Sequence, residues 1–291
     1  MYESAPVPRI TGGEPRRNRR LRKGMYILPS LFTSLNIAAG YYAISQAIQG
    51  SVAEAWHFDL AAKAIGFAIL FDGLDGRIAR MTNTTSDFGR ELDTLADVIT
   101  FGLAPAILAW IWGFRMLPAE VYPDLRARLI QLGAIATFLF LIAGAARLAR
   151  FNIQKNPQPS NPGRPGKKYF VGMPIPAGAG IIAAVVHFTE GQALTTWWES
   201  AIWVVFVLAA GFLMVSTWRF YSFKDIDLRH QQPFRVVILL GGLIALIFFF
   251  SQYVLFLLAL IYMLSGVIAR LMFRRPSSPT PPTYKEASEL R

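Results

Sequence analysis

The chain has no cysteine among its 291 residues, which excludes disulfide staples, thiolate nucleophiles and cysteine-ligated zinc. Charge is scarce as well. Asp, Glu, Lys and Arg make up 16% of the residues against 54% hydrophobic ones, and the mean hydropathy is +0.38. That balance points away from a soluble domain and toward an integral membrane protein. Histidine is rarer still: His57, His187 and His230 are scattered, and no histidine nucleophile is expected. Acids are outnumbered, 18 against 29 bases, for a net charge of +11. Such an excess raises nucleic acid as a partner, but the bases stand at the ends of apolar runs, where anionic lipid headgroups lie. Nucleic acid is therefore not expected to bind. A cleavable leader is not expected either, because the first apolar run is long and lacks a small-residue cleavage site.

What the chain does have is a succession of apolar runs near the ~20 residues a crossing needs. Eight are read as spans, at about 25–48, 58–81, 92–114, 129–148, 170–188, 200–218, 236–250 and 254–273. The last two are joined tightly around Ser251-Gln252. The fifth, F-V-G-M-P-I-P-A-G-A-G, has two prolines and three glycines at its start, so a broken helix is expected there. The fold class is thus all-α, a polytopic membrane helical bundle of about eight transmembrane helices. It divides into a basic segment 1–24, flexible or interfacial and ending in R-R-N-R-R-L-R-K, a membrane domain 25–273 that carries the chemistry, and a Pro/Ser-rich disordered tail 274–291. With the N-terminus inside, the inner loops collect Arg77, Arg80, Arg90, Arg147, Arg150, Lys167, Lys168 and most other bases. The outer loops hold only Arg115, Arg126 and Arg128. The positive-inside rule then puts both termini in the cytoplasm.

The stretch from Asp72 to Asp97 lies on that cytoplasmic side. Asp72 and Asp75 are three residues apart and end the second span; Asp93 and Asp97 are four apart and open the third. On helices each spacing stacks two side chains on one face. Two helices joined by the polar turn near Thr82–Asp87 bring four carboxylates together at the mouth of the bundle. Uncompensated, they repel and are costly to desolvate, and a hard divalent cation, or two, is the natural neutralising partner. Gly76 and Gly89 let a nucleotide or pyrophosphate approach the backbone, or pack helices closely. Ala79 keeps that face shallow, and Arg80 offers a fork of donors to phosphate.

Written as D-x2-D-G-x2-A-R-x8-G-x3-D-x3-D, the stretch resembles the CDP-alcohol phosphatidyltransferase motif at every defined position. The resemblance implies that Asp72, Asp75, Asp93 and Asp97 hold two divalent cations, Mg2+ or Mn2+, and through them the pyrophosphate of a CDP-linked donor. It also implies that Asp97 serves as general base. More of the chain, about 25–224, resembles the serine-using branch of the family: L-P-S-L-F-T-S-L-N, A-R-L-A-R-F-N, F-V-G-M-P-I-P-A and L-M-V-S-T-W-R-F-Y-S-F-K. That likeness implies transfer of a phosphatidyl group from CDP-diacylglycerol to L-serine, and it suggests a homodimer. Glycerol 3-phosphate, inositol or choline is the alternative acceptor. A cation or proton transporter is a further alternative, against which stand the clustering of the acids at one face and the lack of an inverted repeat.

Three smaller groups complete the reading. Thr33 and Asn36, three apart in the first span, are expected to bond the cytidine or a phosphate, or else another helix. Arg147 and Arg150, three apart at the end of the fourth span, hold the lipid phosphate or the serine carboxylate, or else snorkel to headgroups. Asp59 and Lys63 form a local i,i+4 ion pair, and Lys167 and Lys168 are surface charges.

Overall fold

The computed structural model describes residues 16–82, 87–153, 169–221 and 233–272, with side chains at 31–74, 88–153, 170–221, 238 and 241–271. Helix α1 runs Arg16–Gln49. It starts nine residues before the first apolar run, because Arg, Lys and Leu are good helix formers and carry the turn pattern on through the basic stretch. The flexible reading of residues 16–24 is thereby replaced by a helix. Residues 1–15 and the tail 274–291 lie outside the described residues.

Helix α2 (Trp56–Thr82) is followed by a rod in four pieces: α3 (Asp87–Asp97), a π turn (Val98–Leu103), α4 (Ala104–Trp110) and a second π turn (Ile111–Arg115). The first π turn has a local cause. Pro105 has no N–H and crowds the carbonyl four residues back, and the wider turn relieves this, with the Ala104 N–H donating to the Ile99 carbonyl. The chain continues through α5 (Pro123–Ile153), β1 (Tyr169–Val171), α6 (Ile175–Phe188), α7 (Trp197–Val215), β2 (Arg219–Tyr221) and α8 (Pro233–Met272).

The two short strands depart from an all-helical expectation. They pair antiparallel, Phe170 opposite Phe220, and tie the entry of α6 to the exit of α7. Gly172 turns the chain from β1 toward α6 with φ of +78°, and a Cβ there would stand 2.5 Å from the Met214 carbonyl oxygen. The fifth span is broken as expected: helix begins only at Ile175, after Pro174.

Helix α6 lies at the centre, with Ile175, Ala179, Ile182 and Val186 almost wholly buried. It packs against α2 and α8, while α1 lies along α2 and α5 along α7. Four helical stretches are long and apolar enough to cross a membrane by length and composition: Phe88–Arg115, Pro123–Ile153, Trp197–Val215 and Gly241–Leu271. Against the eight spans read from the sequence, the described residues form seven continuous rods. The seventh is non-helical at Phe250 (φ −135°, ψ 38°), beside the Ser251-Gln252 joint.

One end of the bundle is held by a polar clasp. Lys63 reaches Asp59 at 2.6 Å, the i,i+4 pair foreseen above. The His187 Nδ1–H donates to Asp59 Oδ1 at 2.5 Å, and its Nε2 accepts from the Ser251 hydroxyl at 2.9 Å, linking α2, α6 and α8. Gln252 donates to Glu190 at 2.9 Å beside it. Removing the imidazole leaves these groups without their central partner, a loss of about 1–3 kcal/mol for buried polar atoms. His187→Ala is therefore expected to lower the thermal midpoint of the detergent-solubilised protein, and an unchanged midpoint would show the clasp to be decorative.

Candidate active site

Asp72 comes from α2, and Asp93 and Asp97 come from successive turns of α3. The i,i+4 face of α3 thereby meets Asp72 of α2. One oxygen from each carboxylate lies within 4.8 Å of the others, and all three side chains are half-buried. Like charges at that range repel by roughly 3 kcal/mol per pair even at an effective dielectric of ~20. The arrangement therefore calls for a counter-charge.

Two further helices wall the cluster. On α1, Asn36 is 2% exposed and its amide faces the Asp97 carboxylate, near enough to interact with it but without the geometry of a full hydrogen bond at either amide atom. Its backbone is fixed by the Thr100 hydroxyl of the π turn, which donates to the Asn36 carbonyl at 2.9 Å. The approach is close because residue 40 is glycine: a Cβ there would fall 2.5 Å from Thr100 Oγ1. Thr33, one turn from Asn36 on α1, is buried as well. On α5, half-buried Arg147 lies within electrostatic reach of Asp97, and its Nε is buried without a partner. The end of α5 is anchored nearby by Asn152, which donates to the Thr94 hydroxyl at 3.0 Å.

Asp97 Oδ1, both amide atoms of Asn36 and Arg147 Nε are thus buried and unmatched in one place. Buried polar groups are satisfied in most proteins, so unmatched groups grouped like this mark where a polar ligand sits. The donor set fits a hard divalent cation: the carboxylates present only oxygen, they come from rigid helices, and their repulsion is relieved by positive charge.

Of the other residues singled out from the sequence, Gly89 lies one turn before Asp93 on the same face of α3. The side chains of Asp75, Gly76, Ala79 and Arg80 lie outside the described residues, as do Lys167, Lys168 and His230. Arg147 and Arg150 part company. Arg147 turns in toward the acids, whereas Arg150 is exposed and makes no ion pair among the described residues. Tyr262 of α8, unforeseen, also lies within electrostatic reach of Arg147, and its hydroxyl donates to the Tyr221 carbonyl at 3.3 Å. No spacing in the sequence connects it with the motif. His187 and Asp59 sit at the far end of the bundle, since Asp59 precedes Asp72 by 13 residues of one helix, about 20 Å.

A family model described as CDP-alcohol phosphatidyltransferase matches residues 26–200. Among curated proteins, the CDP-diacylglycerol–serine O-phosphatidyltransferase of Helicobacter pylori (strain ATCC 700392 / 26695) is 36% identical over 209 residues, covering 69% of this chain and 75% of its own. The protein of the same name from Mycobacterium bovis is 34% identical over 212 residues, 70% of this chain and 63% of its own. That from Saccharomyces cerevisiae is 32% identical over 158 residues, 53% and 51% of the two chains.

Proposed function

The chain belongs to the CDP-alcohol phosphatidyltransferase family, and on that premise we propose that it is the membrane enzyme that transfers the phosphatidyl group of CDP-diacylglycerol to the hydroxyl of L-serine. The observation that carries this reading is the meeting of Asp72, Asp93 and Asp97 beside Asn36 and Arg147. The names of the similar proteins support serine over glycerol 3-phosphate, inositol or choline as acceptor.

In the reaction, the serine oxygen forms a bond to the lipid-side phosphorus. The bond from that phosphorus to the bridging oxygen breaks, and CMP leaves with the oxygen. Asp97 takes the hydroxyl proton. A carboxylate has two oxygens, so Asp97 can lend one to the acidic cluster and turn the other to the acceptor. Such a base must come within about 2.6–3.2 Å of the oxygen it deprotonates. Asp72, Asp75 and Asp93 hold the divalent cation, Mg2+ or Mn2+ and two ions in our reading. When bound, the cation offsets the charge of the pyrophosphate and polarises its oxygens. Thr33, Asn36, Gly76, Ala79, Arg80 and Gly89 bind the nucleotide end of the donor. Arg147 holds the serine carboxylate or the lipid phosphate, with Arg150 further out at the rim.

The distribution of bases supports a cytoplasmic site and cytoplasmic termini. We further infer that the protein works as a homodimer and binds no nucleic acid.

Purified protein supplied with CDP-diacylglycerol, Mn2+ or Mg2+ and a panel of alcohols is expected to release CMP with serine. Release with another alcohol alone would move the acceptor assignment, and no release with any would remove the enzymatic reading. Arg147→Ala is expected to raise the KM for serine or for donor by about 10–100-fold, as for loss of a half-buried charged contact worth ~1.4–2.8 kcal/mol. Arg150→Ala, at an exposed position, is expected to change either KM less than about twofold. Equal effects of the two would return both arginines to one shared role.

A further inference from the structure

Tyr262 of α8 stands near the reaction centre without a task in the transfer described above. Its place is set by close packing. Gly266, one turn on and on the same face of α8, receives the ring of Phe220, and a Cβ at residue 266 would collide with that ring. Phe220 is wholly buried in β2, and its ring centre stands 5.7 Å from that of Tyr262. The Tyr262 hydroxyl donates to the Tyr221 carbonyl at 3.3 Å, which engages its proton and leaves its oxygen to act as an acceptor. Strand β2 thus holds the phenol at both its ring and its hydroxyl.

Arg147 is the cation this phenol can act on. It is half-buried on α5, within electrostatic reach of both Tyr262 and Asp97. Yet it makes no ion pair among the described residues, and its Nε–H is buried and unmatched. A guanidinium so near a cluster of carboxylates is drawn to collapse onto Asp97. A collapsed pair would engage the carboxylate that takes the acceptor's proton. The phenol oxygen gives the same guanidinium a second attractive group, on a different helix.

The chemistry of the acceptor says what an uncollapsed Arg147 is for. In serine only Cα and Cβ separate the hydroxyl oxygen from the carboxylate carbon. A serine whose hydroxyl reaches Asp97 therefore brings its own carboxylate close to the acids, which repel it, and a cation must receive it there. Arg147 is the cation that acts on Asp97. Resting on the serine-transfer reading above, we propose that Tyr262 is a positioning residue of the acceptor subsite. It keeps Arg147 off Asp97 and available to the serine carboxylate, and so selects an acceptor that carries one.

The test is steady-state CMP release by the full chain, with Tyr262→Phe, Arg147→Ala and the double variant. Tyr262→Phe removes the hydroxyl alone and keeps the ring against Phe220. It is expected to raise the KM for serine about tenfold, as for a misaimed binding group. Saturating serine draws Arg147 back, so kcat and the KM for CDP-diacylglycerol are expected to stay within about threefold. In the Arg147→Ala background the same change is expected to raise the serine KM less than about twofold, because the group it acts through is gone. An unchanged serine KM in Tyr262→Phe would overturn the proposal. So would effects that multiply in the double variant, or a rise in the donor KM in place of the serine KM. Each of those results leaves the transfer reading standing as long as the unaltered protein releases CMP with serine. No release with serine from the unaltered protein removes that reading, and the role of Tyr262 with it.

Discussion

Asp97→Asn is expected to leave the protein folded and able to bind CDP-diacylglycerol, with turnover reduced by about 10^3-fold, within the 10^2–10^4 that a positioned base contributes. The substitution preserves shape and removes the ability to accept a proton. It also removes one negative charge from the cluster, so repulsion against the donor's pyrophosphate falls and donor affinity is retained. Asp97 has one oxygen buried and unpartnered, with Asn36 and Arg147 beside it. A base in that position meets an acceptor hydroxyl away from bulk water. Single-turnover CMP release, together with equilibrium binding of the donor, separates the two effects. Turnover within tenfold of the unaltered protein would take the base role away from Asp97.

Asp72→Ala is expected to act on the cation first. Asp72 is the only described carboxylate that α2 contributes to the cluster, so its loss leaves Asp93 and Asp97 on a single helix with no described carboxylate opposite them. Loss of a mere outer partner of a metal ligand costs 10–100-fold in affinity or activity. Loss of a ligand should exceed this, shifting the Mn2+ activation curve by more than roughly 100-fold and lowering kcat/KM with it. Partial rescue at high Mn2+ would fit a weakened site that still assembles. Normal Mn2+ dependence with poor turnover would instead show that Asp72 acts on substrate and not on the ion.

The carboxylate cluster was legible in the sequence because it rests on local rules. Spacings of three and four fix which side chains share a helix face, and a short polar stretch between two apolar runs makes consecutive helices neighbours. The same rules gave the Asp59–Lys63 pair and the broken start of α6. Other features needed the fold. His187 bonds a residue 128 positions away, so Asp59 could not be read as more than half of a local pair. Arg147 and Arg150 look equivalent at a spacing of three, but only Arg147 turns toward Asp97. Their difference comes from the rotation of α5 against its neighbours, which no single-helix pattern encodes. Tyr262 reaches the site only because α8 packs beside the β1–β2 pair, where its hydroxyl bonds the Tyr221 carbonyl. The π turn after Asp97 follows from Pro105, a local cause whose effect on the Thr100–Asn36 contact is tertiary.

The central claim is that oxygen ligands from two helices hold a divalent ion where the donor lipid is cleaved. Electron paramagnetic resonance of Mn2+ titrated into the purified protein measures this directly. Saturable bound Mn2+ is predicted, tightened by CDP-diacylglycerol and lost in Asp93→Ala and Asp72→Ala alike. Bound Mn2+ that is indifferent to the donor and undiminished in both variants would contradict the account.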